Sequence, residues 1–193
     1  MKMIPSETME NLEKSGDEVV KDWFHKLSLP FDVKELQSAI LPLLETAEWT
    51  DTHYSQAPGT SWCKIKLPKS ITEKLELSIN CPVYPDYYIW KYSETKTLLI
   101  HKDNNSPGDG RTIAGCVPLV GNFENRIYTD DGLETVLDRC VYGPGDVLLL
   151  NNTKYFHGGT ALDDSRISLH FYLNFFNDEN RSLGELLHLH RLK

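Results

Sequence analysis

The sequence is poor in the features that mark several broad classes of protein. Its 193 residues include four cysteines, and none of them belongs to a C-x-x-C pair of the kind used by structural zinc sites and thiol redox motifs. Lysine and arginine are not clustered, and acidic residues outnumber basic ones by 28 to 20, which argues against a surface that binds nucleic-acid phosphates. No apolar run reaches the about 18 residues of a membrane-spanning helix or resembles the core of a secretory signal. These absences predict a cytoplasmic protein with reduced thiols that binds neither nucleic acid nor membrane.

What is present is a long central region of short apolar segments separated by Gly, Pro, Asn and Asp. The clearest segments span residues 62–67, 75–79, 87–92, 97–101, 112–119, 125–128, 147–150 and 167–175. Tight turns such as Pro144-Gly145-Asp146 come between them. This texture predicts a mainly β protein whose strands form a sandwich or a double-sheet jelly roll.

Helix signals are concentrated at the two ends of the chain. A first helix is predicted to open with a capping box at residues 15–18 and to continue through Trp23, Phe24 and Leu27, which follow at helical intervals. A second helix is predicted to begin at Asp32. A third, short helix is expected over about residues 182–191.

No shift in composition marks a linker, and no repeat is present. We therefore expect a single domain over residues 1–193. Its parts would be a helical buttress over about residues 1–48, a jelly-roll core over about residues 49–176 and the short C-terminal helix.

Three residues have the types and the spacing of a metal centre. His101 and Asp103 lie two residues apart at the end of a strand-like segment, so their side chains project from the same side of the backbone. His157 follows another such segment and can reach the same place from across the barrel. Two imidazoles and one carboxylate on one face of an octahedron are typical of non-haem Fe(II) sites that activate oxygen. An H-x-D triplet is also common in ordinary turns, so a structural role stays open at this point.

Arg166 begins an alternating segment whose polar face suits the lining of a cavity. The polar members of this segment are Arg166, Ser168, His170 and Tyr172. A guanidinium binds a carboxylate through two parallel hydrogen bonds and stays charged when buried. In a protein that is acidic overall, a buried arginine of this kind predicts a site for one particular anion.

In order and spacing, these residues resemble the Fe(II)- and 2-oxoglutarate-dependent dioxygenases over about residues 84–176. The likeness is carried by the sequence H-x-D, then H, then R-x-S. Further matching positions are Tyr92 before the first histidine, Arg111-Thr112-Ile113-Ala114 after the triplet, and the Pro-Gly-Asp turn at 144–146.

The resemblance implies a double-stranded β-helix (jelly-roll, cupin-like) core with flanking helices. The implied site residues are His101, Asp103 and His157 for Fe(II), and Arg166, Ser168 and Tyr92 for the far carboxylate of 2-oxoglutarate. With O2, such an enzyme converts 2-oxoglutarate to succinate and CO2 and hydroxylates an unactivated C–H bond. A small molecule or a peptidyl side chain is the expected substrate, because the acidic charge disfavours nucleic acid.

Two other interpretations fit parts of the same pattern. A cupin-like metal enzyme that does not use 2-oxoglutarate would need no buried arginine beyond the three ligands. A non-catalytic β-sandwich binding module would use its histidines structurally. The sequence leaves open whether His170 and Trp90 contact a ligand, which substrate is used, and the oligomeric state.

Overall fold

Two antiparallel sheets dominate the protein, which we describe from a computed structural model over residues 22–51, 59–79, 81–92, 100–103, 113–129 and 135–173. In chain order the elements are β1 (Phe24–Ser28), α1 (Val33–Ile40), a 3-10 helix (Leu41–Glu45), β2 (Thr50–Asp51), β3 (Thr60–Ile65), α2 (Lys69–Ile79), β4 (Tyr87–Tyr92), β5 (Ala114–Val120), β6 (Phe123–Tyr128), β7 (Val136–Tyr142), β8 (Asp146–Leu150), β9 (Phe156–Ala161) and β10 (Arg166–Tyr172). The larger sheet has the order β1-β8-β5-β10-β4-β3-β2, and the smaller has the order β7-β6-β9.

The two sheets pack face to face across an apolar interior. Leu148 and Leu150 of β8 belong to this interior from the larger sheet, and Phe123 and Ile127 of β6 belong to it from the smaller sheet. Each strand pair in both sheets is antiparallel. The arrangement confirms the predicted mainly β architecture with two packed sheets.

The opposite face of the larger sheet is covered by the two helices. Leu36 of α1 and Leu75 of α2 pack in one cluster with Val147 and Leu149 of β8. Strand β8 is therefore covered on both faces, which explains why it has an uninterrupted apolar run instead of an alternating one. Each leucine fully buried here contributes about 1.5–3 kcal/mol to stability.

The second predicted helix is confirmed. The Asp32 carboxylate accepts a hydrogen bond from the Lys34 amide at 2.9 Å, which caps the amino end of α1. Leu36 and Ile40 are fully buried on one face of this helix. The turn predicted at Pro144-Gly145-Asp146 is also present, and Gly145 has a φ of 100°, a conformation that favours glycine.

Two predicted elements are wrong. The first predicted helix was expected to continue to Leu27, but Phe24–Ser28 forms β1, which pairs with β8 from Phe24↔Leu150 to Ser28↔Asp146. The backbone hydrogen bonds of an open sheet edge outweigh the helical spacing of three apolar residues there. The segment 75–79, expected to be a strand, is the last part of α2.

Four strands were not predicted, namely β1, β2, β7 and β9. The expected capping box at 15–18 and the helix over 182–191 lie outside the described residues. Within the described ranges, no helix is long and apolar enough to cross a membrane.

Candidate metal centre

The two candidate histidine ligands are joined through their backbones. The amide of His101 donates to the carbonyl of His157 at 2.9 Å, and the amide of His157 donates to the carbonyl of His101 at 2.8 Å. This antiparallel bridge extends the smaller sheet beyond β9. Directly paired residues of an antiparallel ladder place their side chains on the same face. The two imidazole centroids are accordingly 4.4 Å apart.

Asp103 completes the group. Its Oδ1 lies 3.2 Å from Nε2 of His101 and 3.9 Å from Nε2 of His157. One ligand atom from each of the three residues lies within 4.8 Å of the others. Two ligands that are each about 2.1 Å from one metal ion are separated by about 3 Å to 4 Å, so these spacings suit a single shared cation. The structure thus brings together the three residues that the sequence singled out.

The ring of His157 is oriented by a backbone carbonyl. Its Nδ1 lies 3.2 Å from the carbonyl oxygen of Tyr155, which can only accept, so Nδ1 carries the proton and Nε2 presents a lone pair. Burial and, next, the neighbouring His101 charge lower the pKa of His157 to about 4, against the opposing effect of Asp103. The imidazole is therefore neutral near pH 7 and able to bind a metal ion.

Asp103 is held as a carboxylate. Burial raises its pKa, but the hydrogen bond from His101 and the charges of both histidines act in the opposite direction and leave the pKa lowered overall. The side-chain amide of Asn152 donates to Oδ2 of Asp103, and the Asp103 amide donates to the Asn152 carbonyl at 3.0 Å. Two imidazoles and one carboxylate form a donor set that fits Fe(II).

Arg166, at the start of β10, is a buried cation that lacks an acidic partner among the described residues. It is 4% exposed, and its guanidinium carbon lies 4.0 Å from the ring centroid of Tyr92 and 3.4 Å from that of Phe123. Its Nε makes no hydrogen bond in this part of the chain. Aromatic faces stabilise a cation but do not neutralise it, and an unpaired buried charge is costly. This arrangement favours an anionic ligand.

Tyr92 and Ser168, the other predicted co-substrate residues, lie next to Arg166. Tyr92 is the register partner of Arg166 on β4, and burial raises its pKa despite the nearby guanidinium, so the phenol is neutral. Ser168 is fully buried, and its Oγ lies 2.8 Å from Nε2 of His170. Both side chains are thus close to the cation, while their contact with a ligand stays a prediction.

His170 links the two parts of the site. Burial and, next, the charge of Arg166 lower its pKa to about 3, while Asp103 acts in the opposite direction. Arg166 on the larger sheet and Asp103 on the side of the smaller sheet thus both affect the pKa of this one imidazole. The ring centroid of Trp90 lies 6.1 Å from that of His170. Both residues line the interior, and neither was assigned a role from the sequence.

Sequence reasoning missed Asn152, which contacts a candidate ligand directly. It also missed Phe123, whose ring centroid lies 3.4 Å from the guanidinium carbon of Arg166. The only sequence signal for Asn152 was a polar turn following an apolar segment, which is common in β proteins. Phe123 gave no signal, because it comes from the other sheet.

Several solved structures share this arrangement of sheets. The structure of OsALKBH1 aligns with a TM-score of 0.65 at 11% identity, covering 80% of this chain and 100% of that one. A prolyl hydroxylase from Trichoplax adhaerens, solved with a hypoxia inducible factor oxygen degradation domain peptide fragment, aligns with a TM-score of 0.60 at 13% identity, covering 89% and 94%. A Pseudomonas putida prolyl-4-hydroxylase aligns with a TM-score of 0.56 at 10% identity, covering 79% and 92%.

The fold is a double-stranded β-helix. This confirms the predicted fold class. No protein-family model and no curated protein matches the chain in sequence. At 10% to 13% identity the likeness is one of fold, and the function has to be argued from the residues of this chain.

Proposed function

We propose that this protein is an Fe(II)- and 2-oxoglutarate-dependent dioxygenase that hydroxylates an unactivated C–H bond in a small molecule or a peptidyl side chain. The observation that carries the proposal is the grouping of His101, Asp103 and His157 together with the burial of Arg166, which has no acidic partner among the described residues. Bound Fe(II) would supply the activation of O2 coupled to the decarboxylation of 2-oxoglutarate to succinate and CO2.

The three candidate ligands suit iron by their chemistry. His101 and His157 offer imidazole nitrogens, and Asp103 offers an ionised oxygen. Their placement on one side leaves room for three further ligands. The hydrogen bond from Nδ1 of His157 to Tyr155 keeps Nε2 directed toward Asp103, so the chain itself fixes the direction of this donor.

Arg166 suits the far carboxylate of 2-oxoglutarate. The guanidinium fork of Arg166 lies against the rings of Tyr92 and Phe123, and its Nε makes no hydrogen bond within the described residues. A planar fork of this kind binds a carboxylate in two parallel hydrogen bonds. Ser168 and Tyr92 are proposed to contribute further contacts, because both are buried beside the cation.

The arrangement of Arg166 and His157 also bears on the two other interpretations that the sequence left open, a cupin-like enzyme and a non-catalytic binding module. A cupin-like enzyme that uses no 2-oxoglutarate gives no reason to bury a guanidinium that has no acidic partner in the described part of the chain. A non-catalytic module gives no reason to direct the free nitrogen of His157 toward a carboxylate. One solved relative in fold was crystallised with a peptide fragment, which supports a peptidyl side chain as one possible substrate class.

The first test measures 2-oxoglutarate binding to protein loaded with Co(II), which occupies the metal site without turnover. Arg166→Met is expected to weaken this binding roughly a hundredfold, because it leaves the bound carboxylate without its buried cation. Arg166→Lys retains the charge but loses the fork, and should fall between Arg166→Met and the unaltered protein. The exposed Arg139→Met on β7 is the matched control and should bind normally.

The second test measures succinate formed from 2-oxoglutarate with Fe(II), ascorbate and O2. The unaltered protein should produce succinate, and His101→Ala should not. Metal binding without 2-oxoglutarate binding or succinate formation would favour a metal enzyme that does not use 2-oxoglutarate. Succinate formation that survives Arg166→Met would contradict the role proposed for Arg166. If the protein bound neither Co(II) nor 2-oxoglutarate, the proposal would be wrong and a binding module would be favoured.

A further inference from the structure

We infer that Asn152 is a positioning residue of the metal centre, whose side-chain amide engages one oxygen of Asp103 and leaves the other oxygen for the metal ion. The inference rests on the proposed function, because it takes His101, Asp103 and His157 to be metal ligands. It assigns a specific task to a residue that the sequence did not single out.

Asn152 contacts Asp103 at two points. Its side-chain Nδ2 donates to Oδ2 of Asp103, and its carbonyl accepts from the Asp103 amide at 3.0 Å. Asn152 is 1% exposed, whereas the Asp103 side chain is 29% exposed. The carboxylate is therefore fixed from its buried side by Asn152. Its Oδ1 faces the two histidines, at 3.2 Å and 3.9 Å from their Nε2 atoms.

The orientation of the Asn152 amide follows from hydrogen-bond chemistry. An ionised carboxylate can only accept, so the NH2 group must face Asp103. The amide oxygen of Asn152 is buried and makes no hydrogen bond in the described part of the chain. Leaving a buried acceptor without a partner is unfavourable, by about 1–3 kcal/mol. The side chain of Asn152 is thus oriented to donate a hydrogen bond to Asp103, although this orientation leaves its own oxygen without a donor among the described residues.

This contact has a consequence for metal coordination. A free carboxylate can bind a metal ion through one oxygen or through both. With Oδ2 engaged by the amide, Asp103 is restricted to Oδ1. Restricting it in this way preserves the open positions that a three-ligand face offers to further ligands.

The turn over residues 151–155, which we call the ligand-holding turn, is itself fixed to the start of the described chain. Lys154 forms an ion pair with Asp22 at 2.5 Å, and the hydroxyl of Tyr155 donates to the same carboxylate. The Asn151 amide donates to the Trp23 carbonyl at 3.0 Å. The turn also supplies the Tyr155 carbonyl that orients His157. Contacts to two candidate ligands therefore come from one anchored segment.

The experiment compares two neighbouring asparagines. Asn152→Leu replaces the amide by an apolar group of nearly the same shape, and Asn151→Leu is the matched control, since Asn151 is also buried but its amide contacts the Asp22 carbonyl at 3.5 Å. Co(II) is titrated into each metal-free protein by calorimetry. Asn152→Leu is expected to weaken Co(II) binding roughly tenfold to a hundredfold. Asn151→Leu is expected to leave it unchanged.

The visible absorption spectrum of bound Co(II) provides a second readout that loss of stability alone would not alter. In Asn152→Leu the freed Oδ2 can join the coordination shell, so the d–d bands should change in position and intensity. Unchanged affinity and an unchanged spectrum in Asn152→Leu, with normal Co(II) binding by the unaltered protein, would overturn the inference and leave the proposed function intact. Equal losses in both variants would also overturn it. Absence of Co(II) binding by the unaltered protein would instead count against the proposed function.

Circular dichroism confirms that each variant is folded before titration. If Asn152→Leu does not fold, Asn152→Ala takes its place, with the same expected loss of affinity and the same change in spectrum. Asn151→Ala is then its control.

Discussion

The half-buried His170 predicts that the metal-free protein loses stability in mild acid. Its pKa is lowered from 6.5 to about 3, first by burial and then by the charge of Arg166. The unfolded chain therefore binds a proton at this residue over a pH range in which the folded protein does not. Because protons favour the state that binds more of them, the free energy of unfolding must decrease as the pH falls below about 6.5.

The size of the effect follows from the two pKa values. Between about pH 7.5 and about pH 5, His170 alone should lower the free energy of unfolding by about 2 kcal/mol. Water in the interior could raise the folded-state pKa of His170 from about 3 to about 4. The expected loss of free energy would be nearly the same, because either folded-state pKa lies below about pH 5. The other titratable groups near His170 do not titrate in the folded protein over this interval, because the pKa of Asp103 is lowered and those of Tyr92 and the Cys116 thiol are raised.

The assay is urea unfolding of the metal-free protein, in a chelator, at the two pH values. His170→Gln should lose less stability than the unaltered protein on acidification, by about 2 kcal/mol. Ser168→Ala keeps the imidazole buried and should retain the pH dependence of the unaltered protein, although it removes the 2.8 Å contact with His170. An equal loss of stability in the unaltered protein and in His170→Gln would refute the reasoning, since His170 would then be protonated in the folded state.

Three further outcomes follow from packing and anchoring. An added Cβ at Gly115 would lie 2.3 Å from ring atoms of the fully buried Phe171, so Gly115→Ala should lower stability by about 1–3 kcal/mol or more in urea unfolding. On α2, Leu75→Ala should cost about 2–5 kcal/mol, whereas Leu77→Ala, at a position 80% exposed, should change the melting temperature little; equal effects would mean that α2 does not pack on the sheet. Asp22→Asn should speed hydrogen exchange at the amides of the ligand-holding turn, and unchanged protection there would contradict its anchoring role.

The strands that could be predicted are those whose local sequence is unambiguous. Segment 87–92 was predicted with the bounds that β4 has, and 147–150 matches β8 within one residue. Both contain β-branched, aromatic or leucine side chains in runs bounded by turns. The segment 75–79 does not reveal its helix, because five residues cover little more than one helical turn. Ile71, which is buried on the same helix as Leu75 and Ile79, lies before this segment.

Strands that depend on a distant neighbour could not be predicted. Strand β1 exists because its residues pair with β8, more than a hundred positions away in the chain. Strand β9 contains Gly158 and Gly159, which are poor strand formers by themselves, and its pairing with β6 fixes it. Such pairings depend on which edge of the folded sheet is free to accept another strand, and the local sequence of a segment contains no information about that edge.

For the candidate site, residue type and spacing indicated the three ligands and Arg166, because metal and carboxylate chemistry limits the choice of side chains. The residues that support them were not indicated. Asn152 reaches Asp103 across 49 positions of the chain, and Phe123 meets Arg166 from the other sheet. A residue that holds a candidate site residue in place needs only a suitable side chain from a distant part of the chain, and many residue types at many positions could meet this requirement.

The two candidate histidine ligands extend the smaller sheet through the His101–His157 bridge, whereas Arg166 belongs to the larger sheet. Each half of the site belongs to its own sheet, and the distance from one half to the other depends on the packing between the sheets, which is mainly apolar and includes a contact from the Tyr142 hydroxyl to Cys116 at 3.5 Å. A slight separation of the sheets would leave every strand intact, but it would increase the distance between the residues that bind the two ends of a ligand spanning the sheets. On heating, the capacity to hold such a ligand should therefore disappear at a lower temperature than the secondary structure does.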